Sequence, residues 1–201
     1  MRSLFLVNKG IATDTWTQVD FGLPDIMVVL IQTGHGKVVT NIYNDTEQQW
    51  ALHQKIQTIW NRECTSGASA WSEQIIWLGN FNLHHPIWDK ERDAHLFMRG
   101  NLKKLQVPID KVAEFDMQIA LPKNTPTLQV LSMGNYTRPD NVFISNPLIN
   151  YIMRCWTSPG EQLERTDHIP IVIELEITTD THMETPWPHF KMADWKKSKR
   201  H

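Results

Sequence analysis

Apolar positions along the 201 residues fall into short runs broken by polar and glycine-bearing segments. Residues 26–31 (IMVVLI) form a continuous β-branched run, which suits a strand buried on both faces. Gly34, His35 and Gly36 then supply a turn, and residues 37–43 (KVVTNIY) the returning strand of a hairpin. Thr46 and Gln49 stand in capping-box spacing ahead of a helix to about Arg62, with Leu52, Ile56, Ile59 and Trp60 on one face. After a small-residue loop at 65–69, residues 74–78 (QIIWL) read as a strand that stops at Gly79. Residues 89–105 read as a helix with Leu96, Phe97, Leu102 and Leu105 inward and a break near Gly100, and Asp110 as the cap of a second helix to about Ala120. Short strands are expected at 128–131 and 142–145. At 171–177 (IVIELEI) strict alternation predicts a strand with Ile171, Ile173, Leu175 and Ile177 on one face and Glu174 and Glu176 on the other.

Strands alternating with helices, together with hairpins, predict a mixed-sheet α/β protein with polar residues gathered at strand ends. The pattern divides into one domain over 1–178 and a basic linker or tail over 179–201, where Lys191, Lys196, Lys197, Lys199 and Arg200 cluster. That tail reads as a solvated terminus or, alternatively, as an arm contacting phosphates. The 41% apolar and 21% charged content is ordinary for a globular domain, and a net charge of −2 means that any basic footprint is local. The apolar run at residues 4–7 is too short for a signal-peptide core, and no run approaches a membrane span. Cys64 and Cys155 lie far apart without CxxC spacing and are expected as free thiols. A soluble, intracellular protein is the expectation, compatible with the nucleus.

Three runs carry candidate chemistry. In 75–82 (IIWLGNFN) a hydrophobic strand meets Gly79 and then presents Asn80 and Asn82 at alternate positions, so that extended backbone puts them on one side. The same residues also suit a plain strand-to-loop turn, where Asn is a common left-handed residue. In 166–170 (TDHIP) an adjacent Asp167–His168 cannot form its own dyad, because neighbouring side chains in extended backbone point apart. It is either a loop detail or a phosphate-contacting histidine that needs a second carboxylate to orient it. In 138–145 (RPDNVFIS) Asp140 sits at the mouth of a strand, where it either supplies that carboxylate or pairs with Arg138. His84 and His85 lack a Cys or Glu at ligand spacing and read as shaping their loop rather than holding zinc.

Taken in order, NIYND (41–45), IWLGNFNLHHPIWD (76–89), RPDNVFIS (138–145) and TDHIPI (166–171) resemble the exonuclease–endonuclease–phosphatase family, and within it the endonuclease of non-LTR retrotransposons. FKMADW (190–195) resembles the linker that leads to a reverse transcriptase in such polyproteins. The resemblance implies a four-layer α/β/β/α sandwich that hydrolyses phosphodiesters of DNA with Mg²⁺ or Mn²⁺. By motif, Tyr43 and Asn82 would contact the phosphate, and His168 would stabilise its developing charge with Asp140 holding the ring. Asp167 would help to bind the metal. Thr127, in the short segment PTL (126–128), matches a site residue of the family only briefly.

Two departures accompany the resemblance. Asn80 stands where the family carries the Asp credited with activating the attacking water, and an amide cannot accept a proton. The family also opens with strands bearing an Asn and a metal-binding Glu, and the chain is expected to start after both, truncated at its N-terminus. The resulting expectation is a DNA-nicking endonuclease domain of retroelement origin with impaired catalysis. The alternative is a non-catalytic nucleic-acid-binding module or a decayed structural fragment.

Overall fold

A computed structural model describes residues 4–19, 25–31, 37–43, 74–96, 99–130 and 134–176. The expected helix at 46–62, the glycine turn at 34–36, the loop at 65–69, Cys64 and the basic tail all lie outside the described residues.

Within them, a mixed sheet of six strands runs in the order β1 (Trp16–Val19), β2 (Ile26–Ile31), β3 (Lys37–Tyr43), β4 (Ile75–Asn80), β8 (Asp140–Ser145) and β5 (Met117–Ile119). Neighbours pair antiparallel except β3 and β4, which are parallel. Two further hairpins, β6 (Leu128–Val130) with β7 (Asn135–Thr137) and β9 (Ile152–Thr157) with β10 (Ile171–Leu175), complete the sheets. The expected hairpin of β2 and β3 forms with the bounds read from the sequence, and Ile26, Met27, Val28 and Val29 are buried without alternation.

The six-stranded sheet separates two apolar clusters. On one face Trp77, Phe81, Trp88 and Phe143 pack under α1 (Arg99–Glu114), which contributes Leu102, Ile109 and Val112. On the other face Ile76, Val142, Ile144 and Leu148 meet Cys155, Ile171, Ile173 and Leu175 of the β9–β10 hairpin. Helix, sheet and second sheet thus form three successive layers of a mixed α/β architecture. Cys155 is a free, buried thiol, and burial holds its pKa up at about 11.

Several boundaries differ from expectation. The strand at 75 does not stop at Gly79: that residue adopts φ +128°, open only to glycine, and pairing continues to Asn80. The two helices expected at 89–105 and 110–120 are instead a 3₁₀ turn (Glu91–Leu96) followed by a single helix through Pro108. Leu102, Ile109, Val112 and Phe115 make one continuous apolar face, whose burial outweighs the local cost of proline. Asp110 therefore caps nothing and accepts a hydrogen bond from Gln106 one turn earlier. Helix α1 ends because Asp116 takes a left-handed conformation (φ +48°), which turns the chain into β5 where helix was expected. Finally, β8 begins two residues early, at Asp140.

Candidate active site

Strand register brings the dispersed polar residues to one mouth. Tyr43 ends β3 opposite Asn80 at the end of β4, and Asn80 lies opposite Asp140 at the start of β8. At a strand spacing of about 4.8 Å, the row spans roughly 10 Å. Alternation along β8 puts Asp140 on the face of Val142 and Ile144, between the two sheets.

His168 arrives from the second layer, on the segment leading to β10, where it bridges to Leu128. Its Nδ1 lies 2.9 Å from Asp140 Oδ2. A carboxylate only accepts, so Nδ1 carries the proton. The hydrogen bond that His168 donates to Asp140 holds its pKa above the ordinary 6.5, opposed by burial and helped by the charges of Asp140 and Asp167. Asp140 accordingly is the carboxylate that holds His168, and it does not pair with Arg138.

Asn80 and Asn82 form the strand-to-loop turn that the sequence also allowed, and not alternate positions of a strand. Asn82 is left-handed (φ +50°), and its backbone N–H donates to Asn80 Oδ1 at 2.8 Å. The N–H groups of Phe81 and Asn82 both point to the Pro139 carbonyl, at 3.0 and 3.1 Å. The loop carrying Asn82 is thereby tied to the residue preceding Asp140. Asp167 is exposed; its backbone carbonyl accepts from Gln129, while its carboxylate adds negative field at His168.

Among the described residues no three His, Cys, Asp or Glu side chains converge to hold a metal ion. Asp140 is committed to His168, and Asn80 offers an amide already used in a turn. These donors do not by themselves make a divalent-cation site.

No protein-family model and no curated protein sequence matches the chain. Its three-dimensional likeness is to nucleases and phosphatases. The endonuclease domain of TRAS1, a telomere-specific non-LTR retrotransposon, superposes with a TM-score of 0.62 at 16% identity, over 84% of this chain and 72% of that one. The 3' phosphatase NExo from Neisseria, bound to a product DNA hairpin, gives 0.55 at 14% identity, over 80% and 70%. The AP endonuclease LMAP from Leishmania major gives 0.56 at 10% identity, over 74% and 54%. The chain shares the fold of these nucleases and phosphatases.

Within this fold, two residues matter more to the mouth than the sequence suggested. Thr127 is fully buried, and its Oγ1 accepts the Asp140 N–H at 3.1 Å. Its carbonyl receives Ile169 N–H at 2.7 Å and its own N–H donates to Thr137, so one residue ties both sides of the histidine–aspartate pair. Arg138 is buried and donates to the carbonyls of Leu121, Pro122 and Trp88 and to Asn141 Oδ1. Burial lowers its pKa to about 10, and the charge of Asp89 opposes that shift. An Arg-Pro just ahead of a strand was the available signal, but pattern alone cannot tell a buried guanidinium from an exposed one. His84 and His85 shape their loop: Asp89 accepts the His85 N–H and faces His84 Nδ1, and His85 lies against Trp88. No helix among the described residues is long and apolar enough to cross a membrane.

Proposed function

We propose that the mouth formed by Tyr43, Asn82, Asp140 and His168 binds the phosphodiester of DNA, and that Asn80 slows the hydrolysis for which the arrangement is built. The observation that carries this reading is the 2.9 Å contact between His168 Nδ1 and Asp140 Oδ2 at the end of the β3–β4–β8 row.

The raised pKa keeps His168 protonated at pH values where a free imidazole has lost its charge. Its Nε2–H then meets a phosphate oxygen and stabilises negative charge as the phosphorus gains a fifth ligand. The Tyr43 hydroxyl and the Asn82 amide donate to the remaining oxygens and fix the ester relative to His168. Asp167 is the exposed carboxylate that would meet Mg²⁺ or Mn²⁺ carried in with the phosphates; such an ion would neutralise charge on the leaving oxygen. Asn80 accepts the Asn82 N–H as an aspartate would, so the turn survives the exchange. It cannot take a proton from water, which removes the general base.

Supercoiled-plasmid nicking tests the proposal, with Mg²⁺, with Mn²⁺ and with a chelator. Asn80→Asp keeps the turn acceptor and restores a second carboxylate oxygen, so its nicking rate is expected to rise by about 10²–10⁴ over wild type. Adding His168→Ala returns it to background. An Asn80→Asp protein no faster than wild type, or a rate insensitive to His168→Ala, defeats the hydrolytic reading.

Asn80 itself favours a second reading, in which the mouth holds DNA without cutting it. That reading expects DNA binding that weakens log-linearly with salt and weakens further in His168→Ala. Absence of binding at low salt removes it.

A further inference from the structure

The loop after β4 closes on His85 through both its backbone and its ring. The N–H groups of Trp88 and Asp89 donate to the His85 carbonyl, at 3.1 and 2.9 Å, and the His85 N–H donates to Asp89 Oδ2 at 2.8 Å. Pro86 has no N–H, so Ile87 carries the one backbone donor between His85 and Trp88. That N–H donates to His85 Nδ1 at 3.2 Å. A backbone amide only donates, so Nδ1 is bare and the neutral ring keeps its proton on Nε2.

This bond lies at the rim of an apolar space. The loop and helix α1 enclose a cavity of about 280 Å³, with Trp88 and Phe143 on one side and Ile109 and Val112 on the other. Ile87 also lines it and is 50% exposed, which puts it at the rim. Trp88 is held independently, buried in the apolar cluster and bonded to the His85 carbonyl. Losing the ring contact therefore frees residues 86 and 87 and leaves Trp88 in place.

We propose that His85 is a proton-operated latch: a proton taken from water at Nδ1 turns the acceptor into a second donor, releases Ile87 and opens the apolar cavity to solvent. Few charged groups bear on the ring. Asp89 favours the proton through its charge, and its Oδ2 also faces His84 Nδ1 at 3.3 Å. The cavity beside the turn is lined by no ionisable side chain. Burial outweighs Asp89 and holds the His85 pKa below its ordinary 6.5. The latch is accordingly closed above pH 6.5, and its contribution to stability is lost as pH falls through the folded pKa.

The test follows the full chain in two-dimensional ¹H–¹⁵N spectra from about pH 8 to pH 5. In parallel, 8-anilinonaphthalene-1-sulfonate reports open apolar surface by its fluorescence. In the wild type the Ile87 amide should titrate together with the His85 ring, at one midpoint below pH 6.5. The dye signal should rise about three- to tenfold over the same range, as expected for the loss of one hydrogen bond. His85→Asn offers a side-chain oxygen to the N–H two residues on and takes up no proton, so both signals should stay flat. His85→Ala should give the high dye signal at every pH. His84→Gln should keep the wild-type response, since His84 faces Asp89 and not Ile87. An Ile87 amide that ignores the His85 titration, a dye signal flat in the wild type, or an unchanged response in His85→Asn overturns the proposal. If the variants do not fold, the wild-type amide and ring, read in the same spectra, still decide it.

Discussion

Among the described residues, His168–Asp140 and His84–Asp89 are both histidine–carboxylate pairs, yet their surroundings differ. Asp140 has its backbone N–H held by Thr127 and one carboxylate oxygen on His168 at 2.9 Å, at a mouth where the histidine is over a third exposed. Asp89 is buried, and one oxygen accepts the His85 backbone N–H at 2.8 Å while facing His84 at 3.3 Å. Its charge also offsets the burial of Arg138. The first carboxylate aims a ring; the second braces a loop and balances a buried cation. A His–Asp contact on its own therefore says little, and what distinguishes the pairs is how each carboxylate is otherwise engaged.

Exchanging the carboxylates for amides should separate the two roles. In the Asn80→Asp background, Asp140→Asn is expected to lower the nicking rate by about 10²–10⁴, whereas Asp89→Asn should leave the rate per folded molecule unchanged. Equal losses would erase the distinction. Stability should rank the other way. Arg138→Met strips the donors from three carbonyls and Asn141 and is expected to lower the unfolding free energy by about 3–5 kcal/mol in urea titrations. Thr127→Val keeps the volume but removes the acceptor for Asp140 N–H, at a cost of about 1–3 kcal/mol. Thr127→Ser should recover most of it.

Proton linkage sharpens the comparison at the exposed pair. The folded-state pKa of His168 lies above 6.5, so its contribution to stability is complete below that value and fades as pH rises through the folded pKa. The stability difference between wild type and His168→Gln should be largest below pH 6.5 and shrink as pH rises above it; a widening difference would mean that Asp140 does not hold the ring. The smallest effect is expected at the less buried member of the second pair: His84→Ala should cost under about 1 kcal/mol, with no loss of nicking.

Much of this was readable in the residues, for identifiable reasons. The hairpin of β2 and β3 emerged with correct bounds because an uninterrupted β-branched run has few other ways to be buried. The face of β10 was legible because Ile171, Ile173 and Leu175 alternate against one apolar layer. Its partner β9 was not, since Met153 and Arg154 are both exposed and a register shift breaks the period. The break expected ahead of Asp110 is overridden by tertiary packing, and Asp116 ended the helix without a glycine to announce it. At the site, the order of the motifs pointed to one mouth, but spacing could not choose between Arg138 and His168 as the partner of Asp140. That choice is made by Thr127 and by the segment before β10, residues close to Asp140 only in the fold. Asn80 and Asn82 are joined by a left-handed turn, the alternative that spacing alone could not choose over strand alternation.

Gly79 concentrates the dependence of the mouth on a single position. With φ at +128°, it lets β4 keep its last pairings, and those pairings set Asn80 between Tyr43 and Asp140. A saturation library across this segment should therefore show a sharp step: position 79 intolerant of every side chain, position 80 open to aspartate. A lineage altering this mouth would be free to edit position 80 while leaving untouched the backbone bend one residue before it.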